Sequence, residues 1–294
     1  MASPTVGIIG GTGLGASLSK FGGQAIDVPT PFGAPSDRIL LTRWEGVEVA
    51  FLSRHGPGHR FNPSTVPYRA NIWALKKLGV RWVIASGATG SLREDIEPGH
   101  LVICDQVVDR TYRREPTFFD EPGVVAHVEL ADPFCPALRG RLIDAAALVS
   151  TTVHHAATYV CMEGPQFSTR AESLLYRQWG GDVIGMTCMP EARLAREAQL
   201  CYATVALPTD YDCWRPHDSS RPQRELLDEI TANLAAATDN AIALIRAVLP
   251  RLAGASACRC GAALALAIWS DRNQIAPTFR SRLGLLIDGR QADE

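Results

Sequence analysis

The sequence predicts an α/β fold: a single domain with a central mixed, twisted β-sheet flanked by helices. Three observations carry that expectation. Short apolar runs alternate with runs of helical spacing along most of the chain. Glycine-rich or polar clusters stop the apolar runs, as they do where strands end. The 294 residues are 46% hydrophobic and only 20% charged, which suits a large packed core and excludes a disordered chain.

Val6 to Ile9 is strand-like and stops at Gly10-Gly11. Val47 to Leu52 is a second strand, ending at Ser53-Arg54-His55-Gly56. Tyr68 to Leu78 has helical spacing, and Gly79 is a natural stop just past it. Trp82 to Ala85 is again a strand, followed by Ser86-Gly87-Ala88-Thr89-Gly90; Leu101 to Cys104 and Tyr159 to Met162 continue the series. Thr169-Arg170-Ala171-Glu172 fits a capping box, opening a helix that ends near Gly180-Gly181. Asp182 to Met186 is the next strand, and Pro190 suits the first turn of the helix after it. Tyr202 to Leu207 is a strand leading into Pro208-Thr209-Asp210. Leu227, Ile230, Leu234, Ala241, Leu244, Ile245 and Val248 then keep to one helical stripe, which Pro250 should end. Residues 1–250 thus form the main domain, and residues 251–294 a C-terminal helical appendix.

Composition removes several classes of function. With 29 Lys+Arg against 31 Asp+Glu, the net charge of -2 lacks the cationic excess of general nucleic-acid binding. Cys260 to Trp269 is far shorter than the roughly 20 residues that span a bilayer, so no membrane partner is expected. No basic region precedes the apolar run Val6 to Ile9, so the cytoplasm is the expected address. The eight cysteines include no C-x-x-C pair, which argues for buried free thiols and no metal. Cys258-Arg259-Cys260 has the spacing of a strained, redox-active bridge.

The polar clusters gather at strand ends, where open α/β sheets bind ligands. Gly10-Gly11-Thr12-Gly13 lets the backbone approach an anion and adds a hydroxyl. Arg54 offers a planar cationic fork that matches phosphate oxygens, and His55 beside it can donate a further hydrogen bond. The amides of Gly87 and Ala88 and the hydroxyl of Thr187 complete a set that would bind one phosphate. No G-x-x-x-x-G-K-[ST] loop is present, so a free phosphate fits better than a nucleoside triphosphate. Gly11, Gly13 and Ala16 also fit a loose dinucleotide fingerprint, with Asp27 as ribose ligand; that reading implies an oxidoreductase. Asp210 and Asp212, one residue apart, point the same way if their strand continues, and suit a base edge carrying two donors. Phe167, next to Ser168 before a helix start, is placed to stack on such a base or to serve as a hydrophobic staple.

Taken together, these motifs resemble the methylthioadenosine phosphorylases of the trimeric purine nucleoside phosphorylase family. The resemblance runs from about Val6 to Pro250. It rests on Gly10-Gly11-Thr12-Gly13, Arg54-His55-Gly56, Gly90-Ser91-Leu92-Arg93-Glu94, Asp132-Pro133-Phe134-Cys135-Pro136, Glu163-Gly164-Pro165-Gln166-Phe167-Ser168, Met186-Thr187 and Thr209-Asp210-Tyr211-Asp212-Cys213-Trp214, in order. It implies reversible phosphorolysis of 5'-methylthioadenosine to adenine and 5-methylthioribose 1-phosphate. Inorganic phosphate is then a co-substrate, and neither metal nor cofactor takes part. By position, Thr12, Arg54, His55, Gly87, Ala88 and Thr187 would hold phosphate. Phe167, Ser168 and Met186 would bind the nucleoside. Asp210 would serve the purine N7 and Asp212 the 6-amino group, which favours adenine over 6-oxopurines. His127 matches a position that a neighbouring subunit of a homotrimer brings to the 5' group. Two features depart from the family pattern. Gly87 stands where many relatives carry Thr. Asp218 to Arg224 is polar where relatives place an apolar residue of the 5' pocket, which implies better use of adenosine. A purine nucleoside phosphorylase of broader or 6-oxopurine preference is the alternative.

Overall fold

The computed structural model describes residues 5–14, 22–215, 222–256 and 258–288. The strands are β1 (Val6–Gly10), β2 (Gln24–Ile26), β3 (Ile39–Trp44), β4 (Val47–Ser53), β5 (Trp82–Ser91), β6 (Leu101–Ile103), β7 (Gln106–Arg110), β8 (Val153–His154), β9 (Thr158–Met162), β10 (Val183–Gly185) and β11 (Cys201–Asp210). The helices are α1 (Tyr68–Lys77), α2 (Pro136–Ala146), α3 (Arg170–Gln178), α4 (Cys188–Glu197), α5 (Gln223–Leu252) and α6 (Pro277–Ile287). Among the described residues, all eleven strands join one mixed sheet, ordered β2-β3-β4-β1-β5-β10-β9-β7, with β11 on β5, β6 on β11 and β8 on β6.

β5 organises the sheet. Its side chains alternate between the two faces: Trp82 and Ile84 enter one core cluster, Val83 and Ala85 the other. Along one edge β5 pairs with parallel β11 from Trp82 to Gly90. Along the other edge it pairs with parallel β1 only as far as Ala85. Antiparallel β10 takes up that edge again at Gly90 and Ser91. The edge is therefore forked, and the stretch between Ala85 and Gly90 faces neither partner.

Two strands run further than their apolar runs suggest. Ser86 to Gly90 reads as the polar cluster that follows a strand, yet it continues β5, because β11 supplies ladder partners along that whole edge. β11 likewise extends through Pro208 to Asp210, with a register shift between those two residues. Pro250 does not end α5, which runs to Leu252. A proline this near the end removes only one of the last helical hydrogen bonds.

The helices cover both faces. Ala241, Leu244, Ile245 and Val248 of α5 pack with Leu138 and Leu142 of α2 on the face of Trp82. α1 and α4 cover the other face, through Ile72, Trp73, Leu194 and Ala195. Leu227 departs from the expected stripe and is exposed. The capping box forms as read: the Glu172 amide donates to Thr169 Oγ1 at 3.2 Å, and the Thr169 amide to Glu172 Oε2 at 2.7 Å. Gly79, at φ 85°, closes α1 by donating to Lys76 O at 3.0 Å. Phe279, Leu283 and Leu286 of α6 join the core of their own chain with Trp73 and Phe118. Glu197, the last residue of α4, is buried and accepts from Thr117 Oγ1 at 2.7 Å and the Phe118 amide at 2.8 Å. Burial pushes its carboxyl up to about 7, against those two hydrogen bonds.

Candidate active site

A cavity of about 600 Å³ opens in the fork of β5, a size suited to a small organic ligand. Gly11 and Thr12 reach it from the end of β1, Gly87 to Gly90 from the bare edge of β5, and Gly185 to Thr187 from the end of β10. Asp210 and Asp212 reach it from the end of β11, and Ile230 and Leu234 from α5. Thr12, Arg54, His55, Gly87, Ala88, Thr187, Phe167, Met186, Asp210 and Asp212 all line this one space.

Two residues named from the sequence do not. Ser168 sits behind the wall, its hydroxyl 3.6 Å from Met162 Sδ. His127 is exposed, edge-on to Trp269 with ring centroids 5.4 Å apart. Asp27, the ribose ligand of the dinucleotide reading, lies outside the cavity and pairs with Arg38 at 3.6 Å. Ala16 of that fingerprint and most of Asp218 to Arg224 lie outside the described residues.

One end of the cavity is built for an anion. Arg54 is only 1% exposed, and its Nε and Nη2 donate to both oxygens of Glu191 at 2.8 and 2.9 Å. Its Nη1 donates to Ser86 O at 2.6 Å. Burial works against the cation, but the charge and hydrogen bonds of Glu191 outweigh it and keep the guanidinium protonated. Five N–H groups less these three leave two for a ligand. A Cβ on Gly11 would stand 2.8 Å from Arg54 Nη1 and 2.8 Å from Ser86 O, so only glycine admits this approach.

Gly87 and Ala88 form no nest, because they lie in an extended strand. Ser86 O points to the β1 edge, where it accepts from the Gly11 amide at 3.2 Å. Backbone groups alternate edges along a strand, so the Ala88 amide shares the bare edge and that of Gly87 faces β11. The Thr187 hydroxyl begins α4 and makes no cap hydrogen bond. Thr89 Oγ1 is buried without a protein partner, among the described residues.

His55 departs from the role of donor. Its Nδ1 lies 2.8 Å from Phe61 O. A carbonyl only accepts, so Nδ1 carries the proton. Burial, reinforced by the charge of Arg54, lowers the imidazole to about 4. Near neutral pH its Nε2 is therefore a bare acceptor, suited to the hydroxyl of a hydrogen phosphate.

The opposite end is acidic. The strand ends at Asp210, and Asp212 takes φ 50° in the turn beyond. The two carboxylates thus meet through a turn, not along a continuing strand. The Asp212 amide donates to Asp210 Oδ1 at 2.7 Å, and Thr209 Oγ1 donates to Asp210 Oδ2 at 2.8 Å. Burial raises the Asp212 carboxyl above its ordinary value, and a hydrogen bond from Ser173 Oγ partly offsets this. Gly90 lets both acids approach: a Cβ there would stand 3.0 Å from Asp212 Cβ and 3.3 Å from Asp210 Oδ1.

Residues 5–250 match the phosphorylase superfamily. S-methyl-5'-thioadenosine phosphorylase of Geobacter sulfurreducens is 47% identical over 282 residues, covering 96% of this chain and 97% of that one. The enzyme of the same name from Hyperthermus butylicus is 50% identical over 248 residues, with 84% and 88% covered. The chain belongs to the methylthioadenosine phosphorylases. Its backbone matches a methylthioadenosine phosphorylase from an Antarctic soil metagenomic library at a TM-score of 0.88, with 45% identity and 97% and 99% of the two chains covered. It also matches an adenosine/methylthioadenosine phosphorylase variant from Schistosoma mansoni in complex with methylthioadenosine, at a TM-score of 0.78 and 34% identity over 98% of this chain and 99% of that one.

Several positioning residues of this candidate site escape motif reading, because they come from distant parts of the chain. Glu191 orients Arg54, and Tyr202 Oη fixes Glu191 from 2.8 Å. Arg114 donates to Met186 O and to Glu163 O, both at 2.6 Å, which ties the Met186 segment to the Glu163 loop. Asn233 of α5 donates to Thr209 O at 2.9 Å. Glu191 lies just after Met186-Thr187, and that proximity is the one sequence signal that could have flagged it.

Proposed function

We propose that the chain catalyses the reversible phosphorolysis of 5'-methylthioadenosine, yielding adenine and 5-methylthioribose 1-phosphate. One observation carries this reading: an arginine- and hydroxyl-lined end and a paired-carboxylate end share a single cavity of nucleoside size. Family membership supports the same chemistry.

Phosphate lies against Arg54, Thr12, Thr187 and the Ala88 amide, with His55 Nε2 accepting from its hydroxyl. A phosphate oxygen bonds to the anomeric carbon as the bond to purine N9 breaks. The electron pair leaves with the base, and Asp210 supplies or shares the proton at N7. Asp212 accepts from the 6-amino group. The sugar passes through an oxocarbenium-like state, so the protein contributes positioning and fixed charge. Phosphate is the nucleophile and aspartate the acid, so the reaction draws on no metal or cofactor. Met186 packs on the ribose and Phe167 covers the base. Ile230 and Leu234 add an apolar wall that suits a methylthio group better than a hydroxyl.

The active unit in this reading is a homotrimer. His127 lies beside exposed Val125, Leu266 and Trp269, a patch that a second copy would cover while carrying His127 to a neighbour's 5' group. Among the described residues no helix is long and apolar enough to cross a membrane, and the cytoplasm remains the expected address.

The deciding experiment follows adenine release from 5'-methylthioadenosine, adenosine and inosine, with and without phosphate. Methylthioadenosine should react fastest and only with phosphate. Release without phosphate, or a faster reaction with inosine, would overturn the assignment.

A further inference from the structure

The sequence offers no cysteine spacing typical of a metal site, yet the fold assembles one. Cys135, Cys201, Cys258 and Cys260 place their sulfur atoms within 4.8 Å of one another. We propose that these four thiols form a structural zinc site of tetrathiolate type, remote from the nucleoside cavity. None of the four lines that cavity.

The geometry is that of a shell around one point. The Cys135 and Cys258 sulfur atoms are 3.5 Å apart. Zinc–sulfur bonds of about 2.3 Å in a tetrahedron put sulfur atoms roughly 3.8 Å from one another. The four residues come from three segments. Cys135 is the N-cap of α2, and its amide donates to Tyr202 O at 2.7 Å, which fixes it beside Cys201 at the start of β11. Cys258 and Cys260 belong to the segment after α5, where the Gly261 amide donates to Cys258 O at 3.0 Å.

The surroundings suit metal-bound sulfur. The Leu138 amide donates to Cys135 Sγ at 3.4 Å, a bond a metal-bound sulfur readily accepts. Cys135, Cys201 and Cys260 are buried and Cys258 half-buried, so the shell is closed, as structural zinc sites are. On binding, each thiol gives its proton to solvent, and no electron moves. The ion would staple the segment after α5 to the start of β11 and the first turn of α2.

The test uses the full chain, produced with zinc and purified anaerobically with reductant and without chelator. Elemental analysis should find one zinc per chain. The Cys258→Ser/Cys260→Ser variant should hold almost none, whereas Cys213→Ser should keep its full complement. Replacing zinc with cobalt in the unmutated chain should give intense thiolate charge-transfer bands and the ligand-field absorption of a tetrahedral site. That readout stands even if the double variant fails to fold. A zinc-free unmutated chain, a weak octahedral cobalt spectrum, loss of zinc in Cys213→Ser, or recovery of the four cysteines as disulfides under these conditions would each overturn the proposal.

Discussion

Asp210 shows how much of a residue's work depends on its fastening. Thr209 Oγ1 and the Asp212 amide hold its two oxygens, so the carboxyl plane is set before any base arrives. An amide can keep that plane, but it cannot supply the proton. Asp210→Asn should lower the rate on adenosine and spare or improve that on inosine, moving the ratio of their kcat/KM values by ~10²-fold or more. Competition between the two nucleosides checks this, and an unchanged ratio would remove Asp210 from the N7 role. The individual motif residues at this scale were largely legible, because glycine, arginine and aspartate at strand ends announce themselves. Their protonation was not. His55 read as a donor, and only its contact with Phe61 O and its burial beside Arg54 turn it into an acceptor.

Among the elements, β5 is the least legible in the sequence. Its apolar half is legible from Trp82 to Ala85. The polar half, Ser86 to Gly90, lacks any local strand signal, and its extension comes from β11, more than a hundred residues away in sequence. Local structure such as the Thr169 capping box is legible because its partners lie within four residues. In the proposed phosphate site Gly87 faces Thr187: a Cβ there would stand 3.4 Å from Thr187 Oγ1 and 3.7 Å from Arg54 Nη1, ordinary contact distances. A β-branched residue suits an extended strand, and a hydroxyl there adds a donor for phosphate. Gly87→Thr should lower the phosphate KM by roughly threefold to tenfold, the net worth of one ordinary hydrogen bond. Initial rates at varied phosphate test this, and an unchanged or raised KM in a folded variant would argue that the missing hydroxyl is immaterial.

At the scale of the whole molecule, pH enters through a group far from the chemistry. The Glu197 carboxyl stands at about 7 in the fold against an ordinary 4.5. A raised value means that the folded chain binds the extra proton. The stabilisation is complete below about 4.5 and is lost as pH rises through about 7. The difference corresponds to about 3 kcal/mol. Glu197→Gln cannot ionise, so its melting temperature should fall less than that of the unmutated chain between about pH 6 and pH 8. Parallel melting curves would refute the assignment. Assembly supplies a second test. If His127 serves a neighbour's 5' group, His127→Ala should raise the KM for methylthioadenosine several-fold and leave that for phosphate alone, whereas an equal rise in both would place it elsewhere. The four-cysteine cluster belongs to this scale too. Nothing in a linear reading joins residues 135, 201, 258 and 260, because their meeting is a property of the closed fold.

The ion pair of Arg54 with Glu191 has one more outcome. A guanidinium already matched by a carboxylate contributes almost no net charge, and the far end of the cavity carries two acids. An arriving oxyanion therefore meets little long-range pull, and its capture depends on short-range dipoles: hydroxyls, a main-chain amide and two spare guanidinium hydrogens. Such a pocket discriminates by shape more than by valence, and dissolved electrolyte screens it far less than it would an open basic patch.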